Sequence, residues 1–288
     1  MTAVLASLAS AAVYGAADFL GGLASRRANT IAIVVISQLS GLIVMGLMLP
    51  LLPHATPQRN DWMWGATAGV TGGIGVALLY RALATGSMAV VAPITAVCAV
   101  IVPVAASIAL GERPGAGSLG GIALALVAIV LVSQQRTPNV DGHAAKRVDP
   151  RSGATALASG VAIGLFFLTL AQTSANAGMW PLVAARGMSF FLFAAVALII
   201  RRSLYMPAAV AATAITGGVL DMSANLLYLL ATRHGPLSVV VTLSSLYPAS
   251  TVLLARTVLG ERLNATQTVG VVCAVAATLL IVGTRATP

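Results

Sequence analysis

The 288-residue sequence contains few charged side chains. Asp, Glu, Lys and Arg make up 8% of it, whereas hydrophobic residues make up 58% and the mean hydropathy is +0.96. A soluble domain carries about 25% charged residues because its surface must face water. This shortage excludes an ordinary soluble enzyme, a disordered protein and a nucleic-acid-binding domain. It predicts an all-α bundle of membrane-spanning helices in a lipid bilayer.

Metal ligands and cofactor motifs are also scarce. The chain has three His and two Cys residues, and neither Cys98 nor Cys273 belongs to a CxxC or a Cys/His cluster. The P-loop pattern GxxxxGK[ST] does not occur, which excludes direct ATP coupling within this chain. We therefore expect no metal and no cofactor. The net charge of +9 comes from basic residues near predicted helix ends, where they signal membrane orientation rather than nucleic-acid binding.

Ten apolar runs separated by turn residues predict about ten transmembrane helices. A polar stretch at 134–153 separates the fifth run from the sixth. We therefore predict a first five-helix repeat over 1–133, a linker over 134–153 and a second five-helix repeat over 154–288. The runs span roughly 2–24, 30–50, 62–83, 88–110, 116–133, 154–174, 178–200, 208–231, 236–259 and 265–284.

The two halves share a motif. The tetrapeptide at 110–113, Leu-Gly-Glu-Arg, recurs at 259–262, an offset of 149 residues. The same offset places Gly15 on Gly164. Because five is an odd number, the second repeat would enter the membrane inverted relative to the first. Inverted repeats are typical of secondary transporters, whose substrate site lies near the bilayer midplane between the halves.

Two copies of a five-helix unit, each with Gly-Glu-Arg after its fourth helix, resemble the EamA-type permeases of the drug/metabolite transporter superfamily. The match is most specific in the second half, at 245–248 (Ser-Leu-Tyr-Pro) and 259–263 (Leu-Gly-Glu-Arg-Leu). Tyr14 and Gly15 stand where the family often has an aromatic residue followed by glycine. The resemblance implies ten helices, secondary transport and, usually, export of metabolites, amino acids or drugs.

The sequence departs from the family pattern in places. The position equivalent to Pro248 in the first half is Ala99, and the nearest following proline is Pro103. Arg186 looks like a family arginine, but its counterpart in the first half is Ser37. Most basic residues fall in predicted loops and helix ends on the side of the membrane opposite the N-terminus. Because basic residues favour the cytoplasmic side, this distribution predicts external termini, whereas the resemblance implies cytoplasmic termini. We expect a multi-pass plasma (inner) membrane protein, and the two indications of its orientation conflict.

Three charged residues stand well inside predicted spans: Asp18, Arg186 and Asp221. Each would cost about 2.5–3.5 kcal/mol at membrane depth unless it has a partner or lines a hydrated cavity. Asp221 belongs to a polar stripe at helical spacing that includes Asn225 and Tyr228. Two interpretations remain open, a cavity carboxylate that exchanges protons and a structural ion pair with Arg186.

Asp18 lies in a similar stripe with Tyr14, and it either lines the cavity or reaches the interface. We therefore predict a substrate or coupling cavity formed by Tyr14, Asp18, Arg186, Asp221, Asn225 and Tyr228.

The main hypothesis is a secondary transporter of a small organic solute by alternating access, coupled to protons or to exchange. The alternatives are a passive channel or a membrane assembly protein, and an intramembrane enzyme. A channel would show rings of like charge or carbonyl-rich loops, which are not evident. An intramembrane protease would need a base near Ser189, but no His lies deep in a predicted span. The sequence therefore favours a non-enzyme, and it does not indicate an oligomeric state.

Overall fold

A computed structural model describes residues 1–51, 54–85, 88–132, 150–250, 254 and 265–283. Within these ranges the protein is helical and has no β-strand. A short helical stretch also follows at 247–250. The α-helices with defined bounds are α1 (Thr2–Ser25), α2 (Thr30–Met48), α3 (Arg59–Thr85), α4 (Met88–Ala109), α5 (Ala116–Val132), α6 (Pro150–Ala171), α7 (Trp180–Ile199), α8 (Ala208–Thr232), α9 (Leu237–Ser244) and α10 (Ala265–Gly283).

The helix bounds follow the apolar runs of the sequence. Apart from the ninth, every helix begins and ends within four residues of its predicted span. Six helical segments in the described part of the chain are long and apolar enough to cross a membrane. These six comprise α1, α2 with the 3-10 turn that follows it, α3, α6, α7 and α8. The other described helices are shorter apolar segments.

The sixth helix begins earlier than its predicted span, and two predicted features lie at least partly outside the described residues. Helix α6 begins at Pro150, inside the predicted linker. Proline suits the first turn of a helix because its missing N–H would have no partner there. The rest of the linker, 134–149, lies outside the described residues, as does the second Leu-Gly-Glu-Arg motif at 259–262.

Proline interrupts the ninth helix but not the fourth. Helix α9 ends at Ser244, and the chain turns at 245–246 before it becomes helical again. Pro248 explains this break, because it has no N–H to donate to the Ser244 carbonyl and its ring crowds that group. By contrast, α4 continues through Pro93 and Pro103.

The halves pack through helix pairs that are equivalent when the two halves are exchanged. Helix α1 packs on α8 as α6 packs on α3, and α2 packs on α8 as α7 packs on α3. Two hydrogen bonds join equivalent atoms at equivalent positions of the two halves. Ser10 donates to the Ala224 carbonyl at 2.8 Å, and Ser159 donates to the Gly75 carbonyl at 2.8 Å. Because 10 + 149 = 159 and 75 + 149 = 224, the sequence offset is also a structural one.

Corresponding helices run in opposite directions. Helices α3 and α7 are parallel, because Gly65 lies against Pro181 and Gly73 against Ser189. Helices α6 and α3 are antiparallel, because the Phe166 side chain lies over Gly72 and Ile163 over Gly75. Helix α7 therefore begins at the same end of the bundle as α3, whereas α6 begins at the opposite end.

The ends of α6 and α8 give the remaining direction. Tyr228 contacts Phe167 and, further along both helices, Arg233 contacts Thr173, so α6 and α8 are parallel. Since α3 opposes α6, it also opposes α8, its own counterpart in the second half.

Glycines permit the closest of these helix contacts. A Cβ added to Gly69 would overlap the backbone carbonyl of Ala185, and one added to Gly218 would overlap the carbonyl of Ser37. These two glycines are also 149 residues apart. Gly65 and Gly69 on α3 therefore let α7 approach backbone to backbone.

Gly69→Val and Gly218→Val should each destabilise the bundle by about 3 kcal/mol or more, because backbone atoms cannot move aside as side chains do. The measurement is thermal unfolding of the purified protein in detergent. Gly46→Val is the matched control, since an added Cβ there meets no atom within 4 Å. A melting temperature lowered equally in all three variants would contradict the assignment of these contacts.

Candidate functional site

A cavity of about 600 Å³, measured to include its opening, lies between the halves. Helices α1, α2 and α3 contribute to its wall from the first half. Helices α6, α7 and α8, together with Tyr247, contribute from the second half. Five of the six predicted site residues line it. The lining residues include Tyr14, Asp18, Gln38, Gly69, Gly72, Val76, Leu79, Phe166, Phe167, Arg186, Ser189, Asp221, Asn225 and Tyr247.

An ion pair between Arg186 and Asp221 crosses from α7 to α8. Arg186 is only 5% exposed, so its charge would be costly without this partner. The same guanidinium donates a second hydrogen bond to the side-chain carbonyl of Gln38 on α2. Arg186 therefore joins the second helix of each half.

The network continues along α8 to α1. Asn225 donates to the Asp221 carbonyl at 2.7 Å and to the Asp221 carboxylate at 3.3 Å. The Tyr14 hydroxyl donates to the Asn225 side-chain oxygen at 2.6 Å. The chain of bonds Gln38–Arg186–Asp221–Asn225–Tyr14 therefore ties α1, α2, α7 and α8 together around the cavity.

Asp18 also lines the cavity, but it stands apart from this network. Its carboxylate makes no hydrogen bond or ion pair with any residue that the structure describes. The charged side chain that acts on it electrostatically is Asp221, which carries the same sign. The two cavity carboxylates therefore differ, since Asp221 is paired and hydrogen-bonded and Asp18 is neither.

Tyr228 is the predicted site residue that does not line the cavity. It is 0% exposed, and its hydroxyl donates to the Phe167 carbonyl at 2.8 Å. Its ring packs against Phe167 with the centroids 4.6 Å apart. Tyr228 therefore supports the cavity wall from behind Phe167.

Sequence reasoning missed part of the wall. Phe166 and Phe167 lie in the apolar run of α6, and nothing in that run distinguishes a cavity-facing phenylalanine from one that faces lipid. Ser189 was considered only as a weak nucleophile candidate. It is buried, and its hydroxyl has no hydrogen-bond partner among the described residues.

A second polar cluster joins three interhelical segments at one end of the bundle. Asp61 at the start of α3 accepts hydrogen bonds from the backbone N–H of Gln58 at 2.8 Å and from that of Ser174 at 2.6 Å. Arg233, just after α8, donates to the Thr173 hydroxyl at 2.7 Å. The α2–α3, α6–α7 and α8–α9 connections are therefore bonded to one another, across both halves.

A further contact at the same end also crosses between halves. Glu112, in the connection between α4 and α5, accepts a hydrogen bond from the Ser238 hydroxyl at the start of α9. It also accepts one from the Ser238 backbone N–H at 3.3 Å. The carboxylate caps N–H groups that have no partner within the helix. The Glu of the first Leu-Gly-Glu-Arg motif therefore joins the two halves at this end.

A sequence model of the EamA-like transporter family matches residues 1–134 and 152–283. The chain belongs to the EamA-like transporter family. The two matched segments correspond to two copies of the family unit and confirm the resemblance seen in the sequence. Members of this family are transporters rather than enzymes, so the protein is an integral membrane protein of the transporter class.

Comparison with solved structures supports the fold. One solved structure, described only as the crystal structure of a protein, aligns with a TM-score of 0.76 at 14% identity. The alignment covers 99% of this chain and 99% of the other. At this identity the likeness shows the fold alone. Comparison with curated protein sequences gives no significant match.

A double-mutant cycle tests the cavity ion pair. Arg186→Gln and Asp221→Asn should each destabilise the protein by about 3–5 kcal/mol, because each leaves one buried charge without its partner. The double variant should be more stable than either single variant. Thermal unfolding in detergent measures all three.

Asp18→Asn is the control for this cycle. Because Asp18 has no described partner, its replacement should leave the melting temperature unchanged or raise it. Additive losses in the double variant would show that Arg186 and Asp221 do not interact.

Proposed function

We propose that this protein is a secondary transporter that moves a small organic solute by alternating access. Its ten transmembrane helices would form two inverted repeats, 1–133 and 154–288, joined by the linker 134–153. The observation that carries the proposal is the cavity between the halves, whose polar network takes Tyr14 and Gln38 from one half and Arg186 from the other. Such a site changes shape whenever the halves move relative to each other.

The exchange-related packing supports alternating access. Two halves of opposite direction can adopt each other's conformations, and this exchange turns a cavity open to one side into one open to the other. The repeated bonds of Ser10 and Ser159 show that the two halves pack equivalently along α1–α8 and α6–α3. The interruption of α9 is not repeated in α4, so the two conformations would differ in detail.

The polar cluster around Asp61 fits the role of a gate. It lies beyond Tyr228 and Phe167, at the end where α6 and α8 finish and α3 begins. Its bonds join segments from both halves, so the halves cannot separate at that end while the bonds persist. We infer that these bonds, with the Glu112–Ser238 contact, break when the cavity opens to that side.

Asp18 is the better candidate for proton coupling. Sequence reasoning favoured Asp221, but that carboxylate is neutralised by Arg186. A group that takes up and releases a proton during transport must alternate between charged and neutral states without breaking the bundle. Asp18 meets this requirement, because no described interaction depends on its charge. Plasma-membrane location and export remain parts of the proposal that rest on the family resemblance.

Reconstitution into proteoliposomes tests the proposed function. Under an imposed pH gradient, a screen of amines, amino acids and other small metabolites should yield at least one solute that accumulates, with a matching proton flux. Asp18→Asn should lose gradient-driven accumulation, while Asp18→Glu keeps it. A passive channel would equilibrate the solute but not concentrate it. If no solute moves and no proton flux appears, the transporter proposal fails.

A cross-link across the inferred gate tests alternating access. Thr56 lies beside Asn176, since its backbone N–H donates to the Asn176 carbonyl at 2.9 Å. A Thr56→Cys/Asn176→Cys variant joined by a short cleavable thiol cross-linker should lose at least about tenfold in transport rate. Cleavage of the linker should restore the rate.

The controls are Thr56→Cys alone and Asn176→Cys alone, treated with the same reagent, because Cys98 and Cys273 are present in every variant. Full transport by the cross-linked protein would contradict the assignment of this end as a gate.

A further inference from the structure

The charges of the cavity wall do not cancel. Its charged lining residues are Asp18, Arg186 and Asp221. When all three are ionised their sum is −1 + 1 − 1 = −1. Arg186 and Asp221 neutralise each other in a direct ion pair, so the uncompensated charge belongs to Asp18.

No described residue of the protein pairs with the Asp18 carboxylate. It has no hydrogen-bond donor or basic partner among the described residues, and the nearby Asp221 acts on it with the same sign. An ionised carboxylate at membrane depth needs a partner or water. A partner of positive charge that enters the cavity would satisfy Asp18 without disturbing the rest of the network.

Aromatic rings form another part of the same wall. Phe166 and Phe167 line the cavity together with Tyr14, and the Tyr14 and Phe167 rings meet edge to face with centroids 5.9 Å apart. Aromatic faces attract cations through the ring quadrupole, most strongly where water is excluded. Phe167 is also the counterpart of Asp18 under the 149-residue offset. The two equivalent positions thus supply a negative charge and an aromatic ring to one cavity.

The part of the wall that α3 contributes is apolar. Gly69, Gly72, Val76 and Leu79 on α3 line it. They offer contact surface without hydrogen-bond donors on their side chains. This part of the wall therefore suits the apolar body of a ligand.

We propose that the cavity binds a monovalent organic cation, with its ammonium group against Asp18 and its apolar body against Phe166, Phe167 and the Val76 and Leu79 side chains of α3. This inference rests on the proposed transport function and names the substrate class for the same site. The proposal assigns Asp18 the role of substrate contact. Arg186 and Asp221 hold the wall in place.

An anion or a zwitterion fits the site less well. Either would need a free cationic group for its own carboxylate, and Arg186 is the cationic side chain in the wall. Its guanidinium already donates to Gln38 and Asp221. Binding of a carboxylate to Arg186 would leave Asp221 without its counter-charge, which is strongly unfavourable in a buried pair.

Three probes that share a phenyl ring and differ in charge test the proposal. They are phenethyltrimethylammonium, phenylalanine and phenylacetate, which are a cation, a zwitterion and an anion. Isothermal titration of the full-length protein in detergent should show the cation bound at least about tenfold more tightly than the other two. Asp18→Asn should weaken binding of the cation at least about tenfold, and Asp18→Glu should restore most of it.

Two controls make the result specific. Asp141→Asn, in the predicted linker, also removes one negative charge from the chain and should leave the affinity unchanged. Thermal unfolding establishes that Asp18→Asn is folded, since its melting temperature should not fall.

The outcomes separate the inference from the proposed function. Equal affinity for the three probes, or full affinity in Asp18→Asn, would overturn the inference. If proteoliposomes accumulate a solute but the cation does not bind, the substrate class is wrong and the transporter proposal stands. If no solute moves at all, the proposed function itself fails.

Discussion

Arg186 and Asp221 can lie deep in an apolar bundle because each neutralises the other. The two side chains are only 6% and 14% exposed, so water screens them little, their attraction is strong and the loss of either partner is costly. The pair links α7 to α8, Gln38 extends it to α2, and Asn225 and Tyr14 extend it to α1. The polar network thus sets the shape of the cavity, while the surrounding helices pack through small and aliphatic side chains.

The two halves share a helix arrangement but differ in the residues that they contribute to the cavity wall. The backbone contacts of Ser10 and Ser159 are equivalent, yet Asp18 corresponds to Phe167 and Asp221 corresponds to Gly72. All four of these last residues line one cavity. A two-fold arrangement therefore encloses a site that is polar and charged on one side and aromatic on another. In the proposed transport cycle, this asymmetry would orient the ligand, and the equivalent packing of the halves would permit two opposite conformations.

Local sequence patterns predicted the helices well because helix formation in lipid depends on runs of apolar residues. They predicted the site in part. The stripe on α8 identified Asp221 and Asn225, since polar residues at helical spacing share a face. It extended too far, because Tyr228 lies on that face one turn later but behind Phe167. Phe166 and Phe167 were missed, because an apolar side chain suits both lipid and a cavity wall.

The sequence by itself determined the solvent, the helical class, the repeat and the family, because each depends on composition or on motifs read along the chain. Only the tertiary structure decided which charges are paired. Gln38 and Arg186 are 148 residues apart, and Tyr14 and Asn225 are 211 apart. Such partners meet only through the packing of helices from opposite halves. The packing of α7 and α8 on α2 brings Arg186 to Asp221, and among the described residues it leaves Asp18 as the unpaired carboxylate of the cavity.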